Sequence, residues 1–192
     1  HRSEFWMLLI TFLATILLGI ISGILVGVGI ALFFLVFRTA KPHMTILGNI
    51  EGHYKNIERF PDCEQRPDVL AFRFDGQLYY ANQNYFETKV CQWIEEKGSE
   101  LKLVVMNAES INYLDATAGA MLEDLVRRLQ QRGVDFRLAG AIGPVRDILK
   151  RTGLYRVIGE DHYFVRTGDA IRHFDDPNTP IKDKIAKQTG VE

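Results

Sequence analysis

The sequence predicts an α/β domain, with a mixed sheet of four or five strands and packed helices, preceded by a transmembrane α-helical hairpin. Residues 5–37 contain no charged side chain, although 24% of the chain is charged. After residue 42, short apolar runs of strand length alternate with segments whose apolar residues recur at helical spacing. We therefore predict a hairpin over 4–38, a globular domain over 43–175 and a disordered tail over 176–192.

The uncharged segment is too long for one ordinary membrane helix. A straight helix of its 33 residues would be about 50 Å long, whereas the hydrocarbon core of a bilayer is about 30 Å thick. Fitting it would need a tilt of more than about 50°, beyond the usual range. We therefore predict membrane insertion as two arms of about 15 residues. Glycine favours a break, so we place the turn near Gly19 to Gly23.

Glycine spacing and flanking charges add detail to the hairpin. Gly19, Gly23 and Gly27 form two overlapping GxxxG spacings, which allow helix backbones to approach closely in lipid. The general frequency of glycine in membrane helices explains the same spacing equally well. Arg2 and Arg38 flank the segment, so we expect both ends to be cytoplasmic. Two short arms cannot form a transport pathway, and we expect them to pack against further helices of the same protein.

The first half of the predicted domain is rich in strands. A short strand at 45–47 is followed by a polar, loop-like stretch from 48 to 68. Residues 69–74 have the composition of a strand. Asp75-Gly76 is a common two-residue hairpin turn, and residues 78–80 would return as the antiparallel partner.

Helices and strands then alternate. Asn82 or Asn84 is expected to cap a helix that ends at Gly98, and residues 101–106 form a buried strand. Asp115 is placed to cap an amphipathic helix that ends at Gly133.

Four further elements complete the prediction. Residues 134–139 alternate like a strand with one wet face, and a helix opens at Gly143-Pro144. A last strand fragment is expected near 156–158, followed by a helix over 167–174.

Composition and motifs argue against several functions. A net charge of −1 does not favour a nucleic acid as partner. Cys63 and Cys91 have no metal-ligand spacing, and we predict reduced thiols rather than a disulfide. No phosphate-binding loop, dinucleotide motif or nucleophile-base set stands out. We therefore predict no metal, no cofactor and no enzymatic activity.

Three stretches together resemble the C-terminal region of the SulP family of anion transporters. The first is the hairpin ending in residues 33–38 (FFLVFR). The second includes 45–48 (TILG) and 73–82 (RFDGQLYYAN), and the third runs from 103–106 (LVVM) through 115–119 (DATAG) to 143–146 (GPVR). The second and third resemble the STAS domain, named for sulphate transporters and anti-sigma-factor antagonists. The resemblance covers about residues 4–175; each motif is modest alone, and the ordered set is specific.

The resemblance implies a secondary active transporter of anions of the sulfate, bicarbonate, chloride or dicarboxylate class. The hairpin would be its last two helices in the cell (inner) membrane, and the STAS domain would regulate, gate or assemble the transporter in the cytoplasm, within a homodimer. In this family an earlier part of the protein binds the anion, so this chain would hold no substrate-binding residue. The alternative is a membrane-tethered STAS binding module that recruits a cytosolic regulatory partner.

The expected regulatory or partner loop comprises Asp115, Ala116, Thr117 and Gly119. In the anti-sigma-factor antagonists that the domain resembles, a phosphorylated serine follows the matching aspartate. Ala116 stands in that place and cannot accept phosphate. We expect Thr117 to make a local hydrogen bond rather than to be phosphorylated, and Asp115 to cap the helix rather than to contact a partner. A cytosolic protein or a nucleotide would bind near residues 107–119.

Overall fold

A computed structural model describes residues 2–180. The described residues form two compact units, with the boundary between Lys41 and Pro42. The predicted tail begins inside the described part, but its residues 181–192 lie outside it.

The first unit consists of two helices, α1 (Arg2–Leu18) and α2 (Ile20–Ala40). Gly19 separates them with φ 86°, a left-handed conformation that glycine adopts without strain. The arms are 17 and 21 residues long, longer than the expected length. The stretch Ile20–Phe37 of α2 is long and apolar enough to cross a membrane, whereas the apolar part of α1 is shorter.

Two glycines of α2 lie against threonines of α1. A Cβ atom on Gly23 would lie 2.1 Å from Oγ1 of Thr15, and one on Gly27 would lie 2.9 Å from Cγ2 of Thr11. The helices are therefore antiparallel, and their close approach depends on these two glycines. Gly29, on the same helix, would place a Cβ with nothing within 4 Å.

The second unit contains a mixed sheet, as predicted, but with six strands rather than four or five. Its strands are β1 (His43–Ile50), β2 (His53–Asn56), β3 (Val69–Asp75), β4 (Leu103–Asn107), β5 (Asp135–Ala139) and β6 (Tyr163–Phe164). Their order is β2-β1-β3-β4-β5-β6. Strand β1 is antiparallel to β2 and β3, and β3 to β6 run parallel.

Helices cover the two faces of the sheet unequally. The helices of this unit are α3 (Gln83–Lys97), α4 (Ala116–Gln131), α5 (Gly143–Thr152), α6 (Leu154–Ile158) and α7 (Thr167–Asp175). Helices α3 to α6 share the larger core with Phe72 and Phe74 of β3. The smaller core on the other face contains Val69, Ala71 and Val105, with Ala170 and Ile171 from α7.

The predicted hairpin between 69–74 and 78–80 is wrong. Strand β3 pairs on one side with β1, where Met44 faces Phe74, and on the other side with β4. Both edges of β3 are therefore occupied. Leu78 is instead fully buried and forms an isolated bridge with Leu114.

The predicted strand fragment at 156–158 is also wrong, because these residues belong to helix α6. Leu154 and Ile158 are four residues apart, so one helix face buries both. The sixth strand, Tyr163–Phe164, follows instead and has only two residues.

Strand β1 is longer than the predicted 45–47. It continues through Gly48, where a Cβ would lie 2.5 Å from the Cβ of Cys63. The neighbouring strand β2 lies inside the stretch that was predicted to be loop.

Asn82 occupies the cap position of α3 without capping it, because its amide oxygen accepts from the N–H of Tyr79 at 3.0 Å.

Arg137 of β5 fixes helix α7 to the sheet. Arg137 is 6% exposed, and its Nη1 donates to the carbonyl of Ala170 at 2.8 Å. Nε donates to Asp135 at 2.8 Å, and the guanidinium lies 5.5 Å and 5.4 Å from the ring centroids of Phe164 and Phe174. A buried charge needs such partners, and α7 provides part of them.

A second ion pair joins the end of α7 to the segment before β3. Arg66 donates to Asp175 at 2.7 Å and to Asp68 at 2.8 Å. The hydrogen bonds from Arg66 hold the pKa of Asp68 below its usual range. Helix α7 is thus held at both its inner face and its C-terminal end.

The glycines that face α1 lead to a testable prediction. We expect Gly23→Ala to destabilise the hairpin by about 1 to 3 kcal/mol, because the added methyl overpacks the contact with Thr15. The measurement is an SDS unfolding titration of the 192-residue chain in mild detergent, with a fluorescent donor and acceptor at the outer ends of the hairpin. Gly29→Ala is the matched control, because it adds the same methyl in open space. Equal midpoint shifts for the two variants would contradict the packing.

Candidate functional site

The loops after β3, β4 and β5 emerge at one edge of the sheet, because these strands are parallel. Ligand sites of α/β sheets commonly lie outside this edge. The predicted regulatory loop and a cavity of the domain both adjoin it.

Asp115 links two of these loops. One carboxylate oxygen accepts from the N–H of Ala118 at 2.8 Å and caps α4. The other accepts from the N–H of Tyr80 at 2.8 Å. Backbone bonds join the same loops, because Leu78 N–H donates to Tyr113 O at 3.0 Å. Both carboxylate oxygens thus have structural partners.

The residues that follow Asp115 differ in exposure. Ala116 and Thr117 are exposed, whereas Gly119 is buried in the helix. A Cβ on Gly119 would meet nothing within 4 Å, so no close approach requires glycine there. The structure brings Asp115, Ala116 and Thr117 to the surface together and leaves Gly119 beneath it.

Exposed apolar side chains lie on the same loops. Tyr80, Tyr113 and Ile142 follow β3, β4 and β5, and they are 70%, 48% and 38% exposed. We call these three residues, with Asp115 and Thr117, the strand-end surface. Sequence reasoning missed the three apolar members, although large apolar residues in turns between a strand and a helix were a usable signal.

A cavity of about 650 Å³ lies beside the N-terminus of α7. We call it the α7 cleft. The charged and histidine side chains that line it are His43, His53, Lys55, Arg59, Arg73, Asp75, Glu109, Arg166, Asp169 and Arg172. Sequence reasoning did not find the cleft, because its residues come from separate parts of the chain that share no local motif.

Ion pairs neutralise part of the cleft. Arg73 donates to Asp75 at 2.6 Å, and His43 Nδ1 lies 3.0 Å from the same carboxylate. Arg172 pairs with Asp169. Burial alone would raise the pKa of Asp75, but the hydrogen bonds from Arg73 and His43 outweigh it and hold this pKa below the usual value. Burial raises the pKa of Tyr54, which lines the same cleft.

The described residues offer no ready metal site. No group of three or more histidine, cysteine or acidic side chains within residues 2–180 has an arrangement suited to a metal ion. Cys63 and Cys91 are free thiols, as predicted.

The double role of Asp115 can be tested by substitution. We expect Asp115→Ala to lower the free energy of unfolding by about 1 to 3 kcal/mol, because it removes the cap and the bond to Tyr80. Asp115→Asn keeps one acceptor oxygen and should cost less. The measurement is urea unfolding of the detergent-solubilised chain followed by Trp93 fluorescence, with Trp6→Phe in every variant. Thr117→Ala, on the same exposed turn, is the control and should change the value by less than about 0.5 kcal/mol.

A family model matches this chain and identifies its domain. The model of the STAS domain matches residues 60–170. A probable sulfate transporter of Mycobacterium tuberculosis is 31% identical over 176 residues, covering 91% of this chain and 31% of that protein. Probable sulfate transporter 4.2 of Arabidopsis thaliana is 27% identical over 182 residues, covering 89% of this chain and 27% of the relative. The chain therefore spans less than a third of the length of these two relatives, both of which are named as transporters.

Solved structures share the fold. The murine Solute Carrier 26 family member A9 anion transporter, in its inward-facing state, matches with a TM-score of 0.83 at 19% identity, over 91% of this chain and 29% of that one. A sulfate transporter family protein from Wolinella succinogenes matches with a TM-score of 0.52 at 18% identity, over 63% of this chain and 96% of that one. With the family model covering more than half of its residues, this chain belongs to the STAS domain family, and its relatives include sulfate transporters of the SulP type.

Proposed function

We propose that this chain is the C-terminal part of a secondary active anion transporter, and that its STAS domain regulates, gates or assembles that transporter. The observation that carries the proposal is the extent of the similarity to named sulfate transporters. It covers 91% of the chain in one relative and 89% in another, and so extends beyond the domain into the apolar hairpin, at least over most of α2. A similarity confined to the domain would not distinguish a transporter from a soluble STAS protein. The transported anion would be of the sulfate, bicarbonate, chloride or dicarboxylate class.

The hairpin, residues 4–38, would insert into the cell (inner) membrane with both ends in the cytoplasm. In support, α2 contains an apolar stretch of 18 residues that is only 6% buried within the chain. Such a surface needs lipid or other apolar helices around it. An upstream transmembrane domain of the same protein would supply those helices and would hold the anion.

The STAS domain, residues 43–175, would face the cytoplasm, and the transporter would be a homodimer without enzymatic activity. We propose the strand-end surface as the place where a cytosolic protein binds. Its support is the exposure of Tyr80, Tyr113 and Ile142, because aromatic residues are enriched in protein interfaces. A phosphoserine switch of the antagonist type is not part of the proposal, because Ala116 has no hydroxyl.

Transport can be measured in proteoliposomes. The natural full-length protein is compared with a version truncated before residue 43 and with one truncated after residue 175, using labelled sulfate, bicarbonate, chloride and a dicarboxylate. We expect uptake of one anion class by the full-length protein. Removal of the STAS domain should slow or deregulate that uptake, whereas removal of residues 176–192 alone should leave it unchanged.

Two outcomes would contradict the proposal in different ways. Absence of uptake for every anion, with capture of a cytosolic protein by the domain intact, would favour the membrane-tethered binding module. Uptake that is identical with and without the domain would refute its regulatory or assembly role.

The domain boundary gives a separate prediction. We expect a fragment of residues 43–175 to unfold in one cooperative thermal transition, because both cores are contained in it. The matched comparison is residues 60–175, which lacks β1 and β2 and exposes the edge of β3 that β1 covers. The shorter fragment should show a lower or absent transition in circular dichroism. Absence of a cooperative transition in residues 43–175 would refute the boundary.

A further inference from the structure

We propose that the α7 cleft binds a doubly charged tetrahedral oxyanion. The anion is either a free ion, sulfate or phosphate, or the phosphomonoester of a lipid headgroup. The inference does not depend on transport, because binding to the chain itself tests it.

Within the described part of the chain, the cleft is lined by more unpaired cations than unpaired carboxylates. In each of the ion pairs Arg73–Asp75 and Arg172–Asp169, the two charges neutralise each other. Lys55, Arg59 and Arg166 also line the cleft, and within residues 2–180 none of them makes an ion pair. Glu109 is the single lining carboxylate without such a partner in the same part of the chain. Three cations thus face one carboxylate, and the cleft attracts anions.

Backbone N–H groups at the start of α7 are available to an anion in the cleft. The N–H groups of Asp169 and Ala170 donate to the carbonyl of Arg166 at 3.1 Å and 3.2 Å. In contrast, the N–H groups of Thr167 and Gly168 have no acceptor among the described residues, because no side chain caps α7. The nine-residue helix also presents the positive end of its dipole there.

A buried hydroxyl adds an independent observation. Thr167 is only 4% exposed and lines the cleft. Its oxygen accepts from Nδ2 of Asn107 at 3.1 Å, so its own proton is free to donate, and it has no acceptor among the residues that the structure describes. Buried donors of this kind are normally satisfied, and an oxyanion in the cleft would satisfy this one.

The combination favours a tetrahedral dianion over a halide or a carboxylate. Two backbone N–H groups, one hydroxyl and the guanidinium groups of Arg59 and Arg166 form more donors than one carboxylate can accept. The cleft, at about 650 Å³, is larger than one inorganic ion, so it has room for the organic part of a phosphomonoester. Both sources present the same charged group to the same donors.

The test measures anion binding to the 192-residue chain in phosphatidylcholine nanodiscs by calorimetry. Sodium sulfate and sodium phosphate are titrated against sodium chloride at equal ionic strength. A second arm uses nanodiscs that contain a phosphatidylinositol phosphate, with the unfolding temperature as the readout. Because sulfate stabilises proteins without binding to a site, the comparison between variants decides the result.

The variants remove the donors one kind at a time. We expect the double variant Arg59→Gln, Arg166→Gln to weaken sulfate or phosphate binding at least about tenfold, which corresponds to about 1.4 kcal/mol. Thr167→Val removes only the hydroxyl and should weaken binding about fivefold. The double variant Arg132→Gln, Arg151→Gln removes two exposed charges elsewhere on the domain and should stay within about twofold of the parent.

The arms also identify the source of the anion. Saturable binding of the free ions supports an inorganic ligand, and an unfolding temperature raised only by the phosphorylated lipid, in an Arg59- and Arg166-dependent way, supports a headgroup. Equal binding by the parent and the Arg59→Gln, Arg166→Gln variant, or no saturable binding in either arm, would overturn the proposal. Thr167→Val keeps the test decisive if the arginine variant does not fold.

Discussion

The hydrogen bond and ring contacts of Arg137 attach α7 to the sheet, and the structure of the sheet face that α7 covers depends on this attachment. Four helices bury the opposite face, and among residues 2–180 α7 is the helix that covers this one. Helix α7 has only nine residues, and it contacts β4, β5, β6 and β2. The α7 cleft is the part of this face that α7 does not fill. Because Arg137 bonds to the carbonyl of Ala170, near the start of the helix, it also fixes the position of the donors at Thr167 and Gly168.

Asp115 has a comparable role on the strand-end surface. Its two oxygens join the first turn of α4 to the loop after β3, so Asp115 has a structural role that does not depend on any partner. Here the same turn presents a methyl group at Ala116. Under the proposed function, a partner at this turn would therefore contact the exposed Tyr80, Tyr113 and Ile142 and would not respond to a change of charge at residue 116.

Local signals predicted the elements that local physics determines. Asp115 before α4 and Gly143-Pro144 at α5 define helix ends through caps and backbone restrictions, and the structure has helices there. Strand pairing was harder, because residues 78–80 have strand composition but β1 and β4 occupy both edges of β3. The short run at 156–158 fits a strand or a helix by composition, and packing selects the helix. The α7 cleft was out of reach, because Lys55, Arg73 and Arg166 become neighbours only through the fold.

The GxxxG spacings of the hairpin are used for helix packing within this chain. Gly23 and Gly27 belong to the GxxxG spacings, and both lie against threonines of α1. Another helix could use this face only after α1 and α2 separated, which would cost the contacts that the glycines permit. The surface that remains for lipid or for other helices consists mainly of Leu, Ile, Phe and Val side chains, most of them more than half exposed. Such side chains pack against lipid and against apolar helices alike, so the glycines determine the shape of the hairpin and leave the choice of its neighbours to the rest of its surface.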